Sequence, residues 1–271
     1  MPKPEKSYKN LAFLNSKGAR AIRILCEYEE PKQRLEQQGV EDTIVFFGSA
    51  RSVDRDTARV NLEKASEAVQ SEPDSDEARA ALQRAEAGIA LSEYYEQARE
   101  LAREVTRWGQ ESGREYVVTS GGGPGMMEAA NRGASEAQGG RSMGLGISLP
   151  FETGVNDWVT EELAFEFHYF FTRKYWFLYP CKAMVIFPGG FGTMDELFES
   201  LTLIQTGKVS RRLPVLLYGA DFWNDVLDLE ALAKWGTISK GDLDLIHISD
   251  SVEDAMAYLK ASLPAPQSSA E

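Results

Sequence analysis

The chain is poor in the residues that most often announce a chemistry. Its 271 residues include two cysteines, Cys26 and Cys181, and two histidines, His168 and His247. The cysteines are far apart and form no Cys-x-x-Cys pair, which argues against a disulfide framework or a zinc site, so no metal is expected. Two imidazoles leave little histidine chemistry. His168 lies in Phe165-Glu166-Phe167-His168-Tyr169-Phe170-Phe171 and reads as a packed or hydrogen-bonded side chain rather than a catalytic base. No apolar run approaches the ~20 residues that cross a bilayer. The opening Met1-Pro2-Lys3-Pro4-Glu5-Lys6 leads into no signal-peptide core. A soluble, cytoplasmic protein without a membrane partner is the expectation. Positive charge is also short: 29 Lys and Arg stand against 42 Asp and Glu, a net charge of −13. Affinity for DNA or RNA comes from clustered cations that release counterions, so a nucleic-acid surface is disfavoured.

What the chain does have is apolar material, 43% hydrophobic and 10% aromatic, enough for a substantial core. Residues 1 to about 40 read as a helical arm, with Ala19, Ile22, Leu25 and Cys26 at helical spacing until Pro31 interrupts the pattern. Thr43 to Phe47 is a continuous apolar run closed by Gly48-Ser49, the pattern of a buried parallel strand and a tight turn. A helical hairpin then occupies about 56–95, with Pro73-Asp74-Ser75-Asp76 as its break and cap. Its second arm runs on into the helix before the next strand. Between Glu63 and Arg79 this hairpin is acidic, net −4.

Beyond the hairpin, strands and helices alternate. Strands are expected at 116–119, 144–149, 183–187, 214–218 and 245–248. Helices are expected at 126–137, 172–179, from Thr193 to about Gln205, near Phe222 to Trp235, and at 252–263. The segment between 149 and 172 reads as an acidic, aromatic connection. Such alternation predicts an α/β fold, a Rossmann-like doubly wound parallel sheet with helices on both faces. One nucleotide-binding domain over 41–263 is expected, with the arm, the hairpin insertion and a flexible tail at 264–271.

Three glycine turns stand where strands pass into helices: Gly48-Ser49-Ala50-Arg51, Ser120 to Gly125, and Pro188-Gly189-Gly190-Phe191-Gly192-Thr193. None matches the dinucleotide or P-loop pattern. The third is the most informative, because its three glycines permit positive φ and close backbone approach. Free N–H groups near Gly192 and Thr193, with the Thr193 hydroxyl, can bind a phosphate monoester. Glu196 is placed in the first turn of the following helix, where the helix dipole would keep it ionised.

Phe171-Thr172-Arg173-Lys174 followed by Pro188-Gly189-Gly190-Phe191-Gly192-Thr193-Met194-Asp195-Glu196 resembles the paired signature of the Lonely Guy family, the nucleotide phosphoribohydrolases also labelled lysine decarboxylase-like. Gly121 to Asn131 and Leu149-Pro150-Phe151-Glu152 resemble segments of its long-form members. The family hydrolyses the N-glycosidic bond of a nucleoside 5′-monophosphate, releasing free base and ribose 5-phosphate without a cofactor. The resemblance implies Arg173 and Glu196 as the catalytic pair, and Glu152, Lys174, Gly189, Gly190, Gly192 and Thr193 as substrate-binding residues. Ser49, Gly122 and Gly123, on the first two turns, join that set. It also implies a homodimer or higher homo-oligomer, with an AMP-like purine nucleotide as substrate. The chemistry suits these residues, since a carboxylate near C1′ stabilises an oxocarbenium-like transition state and orients water.

Three other readings compete. A non-catalytic carrier of a nucleotide or a phosphorylated pterin cofactor can share the fold. A single-stranded DNA-binding domain conflicts with the net charge. Literal amino-acid decarboxylation would need a Schiff-base lysine, and nothing marks Lys174 or Lys182 as one.

Overall fold

The computed structural model describes residues 3–149, 154–209 and 213–263. Glu152 and the 264–271 tail lie outside the described residues. A short helix α1 (Leu11–Leu14) leads into α2 (Arg20–Gln37), followed by β1 (Thr43–Phe47), α3 (Arg55–Ser71) and α4 (Asp76–Glu111). Then come β2 (Val117–Ser120), α5 (Met126–Glu136), β3 (Ser142–Ile147), β4 (Ala164–Phe167), α6 (Phe170–Leu178), β5 (Cys181–Ile186) and α7 (Phe191–Gln205). The chain closes with β6 (Val215–Tyr218), α8 (Ala220–Val226), α9 (Leu229–Lys234), β7 (Ile246–Ser249) and α10 (Val252–Ser262).

The strands form one seven-stranded sheet in the order β4-β3-β2-β1-β5-β6-β7, and every pairing is parallel. The fold is therefore the Rossmann-like α/β class expected from the alternation. From β1 the chain builds outward through β2, β3 and β4, then returns to place β5, β6 and β7 on the other side. Loops leaving β1 and β5 diverge at that reversal, and the crevice they leave is where open α/β sheets take ligands.

Period-two alternation along β1 divides the interior. Ile44 and Phe46 join Tyr95, Leu101 and Val105 of α4 and Leu259 of α10 on one face. Val45 and Phe47 join Leu35 of α2, Trp176 and Phe177 of α6, and Trp223 of α8 on the other. The hairpin is α3 and α4, with Asp54 accepting from Thr57 N (3.0 Å) and Ser75 from Ala78 N (3.2 Å) at their starts. The second helix runs unbroken for 36 residues, its later turns forming the core layer just described.

Three details depart from the sequence expectation. Pro31 does not interrupt α2 but lies buried inside it. A proline removes the N–H that would bond the carbonyl four residues back, at Glu27. That carbonyl instead accepts from Trp176 Nε1 at 2.9 Å, so the defect in one helix becomes a tie to another. The connection between 149 and 172 holds a further strand, β4, on the sheet edge, with Phe165 and Phe167 buried and Glu166 exposed between them. The aromatic run there follows strand alternation for a stretch too short to stand out from its flanks. The helix expected near Phe222 to Trp235 is two short ones, because Asp228 caps the second by accepting from Ala231 N at 2.8 Å.

Glu27 also caps α6 from outside. Its carboxylate accepts from His168 N (2.8 Å), Tyr169 N (3.3 Å) and Thr172 Oγ1 (2.6 Å), satisfying donors at the helix start. The exposed His168 meets Tyr169 edge to face. Glu27→Ala is expected to destabilise the fold by about 1–3 kcal/mol, the cost of leaving such donors unpaired. Urea denaturation checks this; an unchanged midpoint would show that water caps α6 equally well.

Candidate active site

Three loops meet at the carboxyl edge of the sheet and are stitched together through Ser49. Its N–H donates to the Pro188 carbonyl (2.9 Å), and its carbonyl accepts from Met126 N (3.0 Å) and Ser52 Oγ (3.1 Å). The Ser120–Gly125 turn is held by side chains. Ser120 Oγ donates to Asn131 Oδ1 (2.7 Å) and accepts from Gly122 N (3.0 Å). Asn156 Nδ2 donates to the Gly122 carbonyl, the Gly123 carbonyl and Asn131 Oδ1, each at 3.0 Å. Positive φ occurs here, at Gly122 (73°) and Gly125 (74°). None of Gly189, Gly190 and Gly192 adopts it, contrary to the expectation for the third turn.

The glycine that the third turn requires is Gly189, for want of space. A Cβ there would lie 2.1 Å from Thr193 Oγ1 and 2.6 Å from Thr193 Cβ. Helix α7 opens at Phe191, two residues before the expected start, as Met194 N already bonds the Gly190 carbonyl at 3.0 Å. The N–H groups of Phe191, Gly192 and Thr193 precede that first bond and have no partner within the helix.

These loops and the adjoining helices enclose a cavity of about 810 Å³. Of the residues expected at a site, Ser49, Gly123, Arg173, Gly189, Gly190, Gly192, Thr193 and Glu196 line it. Gly122 does not; its backbone serves the turn. Lys174 faces α7 instead, pairing with Asp195 (2.8 Å) and with Glu199. Against the cost of burial, those carboxylates hold its ammonium above its ordinary pKa. Of the further lining residues, Leu91, Phe222 and Val226 were not legible as site residues, because scattered apolar residues carry no pattern, and Arg51 was read only as the end of the first glycine turn. Asn156, which braces the glycine turn from about 35 residues away, gave no signal either.

Glu196 and Arg173 give the cavity its chemistry. Only 6% of Glu196 is exposed, and its carboxylate accepts no hydrogen bond among the described residues. Burial pushes its pKa up to about 7, against the pull of Lys174 and Arg173 and with a push from Glu199 and Asp195. The expectation that the helix dipole keeps it ionised is thus corrected: Glu196 lies beyond the first turn, where the dipole has faded and desolvation prevails. Arg173 Nε donates to the Leu145 carbonyl at 2.6 Å, and its guanidinium carbon lies 5.0 Å from the Phe177 ring centroid. The guanidinium fills the space beside Gly121, where a Cβ would stand 2.6 Å from its terminal nitrogen.

A parallel α/β sheet with a buried carboxylate and an arginine in a glycine-walled cavity defines the class of site. Comparison with known proteins narrows it. The sequence model of a family described as "possible lysine decarboxylase" matches residues 127–259, from α5 to α10. That stretch carries Arg173 and the Pro188–Glu196 motif, and the match supports the resemblance to Lonely Guy-like proteins. No curated protein matches the chain. Among solved structures, a protein designated TM1055 is similar at 21% identity and a TM-score of 0.48, over 81% of this chain and 99% of the other. A molybdenum cofactor carrier protein from Chlamydomonas reinhardtii is similar at 19% identity and 0.44, over 81% and 97%. A molybdenum cofactor binding protein from Rippkaea orientalis follows at 20% and 0.41, over 61% and 87%. No described helix is long and apolar enough to cross a membrane, and no described cluster of His, Cys, Asp and Glu can hold a metal.

Proposed function

We propose that the cavity binds a purine nucleoside 5′-monophosphate of the AMP type and that the chain hydrolyses its N-glycosidic bond to free base and ribose 5-phosphate. The observation that carries this reading is Glu196, a buried carboxyl with a pKa of about 7 just inside a helix start whose N–H groups suit a phosphate. With the phosphate on those N–H groups, the ribose reaches over Glu196. As the C1′–N bond breaks, positive charge builds on the sugar, and an ionised carboxylate in a dry site stabilises it strongly. Water then forms the new C1′–O bond and gives its proton to Glu196, the departing base takes the C1′–N electron pair and a proton from solvent water at nitrogen, and Glu196 returns its proton to solvent. Arg173, with its planar fork of donors, polarises the base or holds the sugar against the carboxylate.

Because the ionised carboxylate is the working form, kcat/KM is expected to rise with pH through about 7, the Glu196 value. A flat profile between pH 5.5 and 8.5 would move the role elsewhere. Among the described residues lining the cavity there is no lysine, and Lys182 pairs with Asp42 at 3.0 Å, at the start of β5 and so at the far end of the sheet. Phe170 and Phe171, each more than half exposed, leave an apolar patch at the start of α6, and a homodimer covering it belongs to the same proposal. Incubation with AMP and a panel of nucleoside monophosphates, with product identification, tests the activity. Release of adenine and ribose 5-phosphate supports it. No base from any of them overturns it and leaves the non-catalytic carrier of a nucleotide or phosphorylated pterin.

A further inference from the structure

We propose that the chain carries a second ligand site, between α4 and α10, that takes a short aliphatic diamine in its doubly protonated form. The site shares no lining residue with the nucleotide cavity, and its occupancy does not depend on turnover there.

Helix α4 leads into β2 and α10 follows β7 in an all-parallel sheet, so both helices run from the carboxyl edge of the sheet toward its amino edge. Between them is a cavity of about 780 Å³, far more than the ~30 Å³ of one water. Its lining is unevenly charged. Asp250 directly follows β7 and Glu253 is in the first turn of α10, both at the carboxyl edge. Glu100 and Glu104 line it from α4, and among the described lining residues Lys260 is the single cation. Lys260 stands two turns of α10 beyond Glu253, about 10 Å at ~1.5 Å per residue, so positive charge is confined to the amino-edge end.

Tyr218, the last residue of β6, lines the cavity from the sheet. Its ring is fixed against Phe187, with centroids 4.6 Å apart, and lies edge-on to Tyr94 at 6.5 Å. The residue is 0% exposed, yet its hydroxyl has no hydrogen-bond partner among the described residues. Burial raises the pKa of that hydroxyl, and the charges of Asp250 and Glu253 raise it further. The phenol oxygen therefore stands at the acidic end of the cavity, within the field of both carboxylates. A buried hydroxyl left unpaired is costly to the fold, and a ligand that brings a donor to it removes that cost.

The carboxylates around it differ in how far they are already satisfied. Glu104 pairs with Arg107 at 3.1 Å, and Glu100 pairs with Arg103 through Oε2. Asp250 accepts from Ala220 N through Oδ1 at 2.6 Å. Neither Asp250 nor Glu253 forms an ion pair among the described residues. Two carboxylates without a cation thus border an acceptor without a donor. An ammonium, with three N–H donors and a positive charge, matches that set. A bare metal ion does not, because no described cluster of His, Cys, Asp and Glu can hold one. Val252, Met256 and Ala257 add an apolar wall that suits a methylene chain. A second ammonium at the end of a short chain has Glu100, whose Oε2 alone is engaged. A longer polyamine would bring its next charge toward Lys260.

The test is calorimetric titration of putrescine into the wild-type chain at about 0.15 M salt, where diffuse attraction to a net charge of −13 is screened. One-to-one binding is expected, about tenfold weaker in Tyr218→Phe and in Glu253→Gln, as the loss of one charge-assisted contact implies. Lys260→Ala is expected to tighten it. n-Butylamine, with one ammonium, is expected to bind about tenfold more weakly than putrescine, and spermine no more tightly despite its greater charge. Tyr218→Phe is the sharpest variant, because it alters no charge and removes only a hydroxyl that the fold leaves unpaired. Should it fail to fold, Glu253→Gln, on the surface of α10, carries the test. Absence of one-to-one binding would overturn the assignment and leave Tyr218 to an ordered water. Unchanged affinity in Tyr218→Phe or Glu253→Gln would overturn it as well, showing the attraction to be diffuse.

Discussion

Glu196→Gln is expected to end base release, with a fall of about a thousandfold or more, and at the same time to make the protein more stable above pH 7. Loss of turnover follows if the carboxylate charge stabilises the transition state, since the amide keeps the shape without the charge. The gain in stability follows from the same burial. A carboxyl with an ordinary value of 4.5 that is pushed to about 7 in the fold binds more protons folded than unfolded between those values. Native stability therefore falls as pH rises from about 4.5 through about 7 and is level beyond. A difference of that size corresponds to about 3 kcal/mol, which the glutamine variant does not lose. Urea denaturation of both proteins at pH 4.5 and pH 8 checks it. The variant should gain about 2–3 kcal/mol over wild type at pH 8 relative to its standing at pH 4.5. An equal difference at both pH values would mean that Glu196 is not titrating in a buried site, and the proposed chemistry would lose its physical basis. A residue that costs the fold stability and is kept at a cavity wall fits the pattern of functional sites.

Much of this was legible in the amino-acid order, and the limits have physical causes. The parallel sheet could be read because buried parallel strands are short, continuous apolar runs closed by glycine, as in Thr43 to Phe47. Arg173 and Glu196 could be picked out because their segments resemble a known signature. Edge strand β4 was not legible: a strand buried on one face only, four residues long, carries too few alternations to separate from its flanks. The continuity of α2 through Pro31 was hidden because the compensating donor, Trp176, lies 145 residues away from it in sequence. The upward shift of Glu196 was not foreseen because a helix-start argument supplies a local dipole, whereas the group answers to its desolvation, which only the packed structure defines. Leu91 was silent for a related reason. Its place at the cavity depends on how α4 packs against the loops at the sheet edge, a tertiary fact with no short-range trace.

The Pro188–Thr193 motif yields the second large effect, because its three glycines are not equivalent. Gly189→Ala is expected to cost about 1–3 kcal/mol of stability, the usual penalty of overpacking, and to weaken nucleotide binding more than tenfold. Its added methyl would overlap Thr193 Oγ1 at 2.1 Å and Thr193 Cβ at 2.6 Å. Neither atom is the end of a flexible chain, so the first turn of α7 must shift, and with it the N–H groups assigned to the phosphate. By contrast, nothing lies within 4 Å of a Cβ on Gly190 or Gly192, and neither has positive φ. Gly190→Ala is expected to leave stability unchanged, and Gly192→Ala, inside the helix, to raise it by about 0.5–1 kcal/mol through lower unfolded-state entropy. Both line the cavity, so each should still weaken nucleotide binding by placing a methyl where the ligand approaches the backbone. Thermal melts with AMP titrations on the three variants separate these outcomes. Three equal losses of stability would show that the motif is a turn requirement throughout. The expected split, one glycine needed by the fold and two by the ligand, would show that the motif serves packing at its first position and an open anion site at the others.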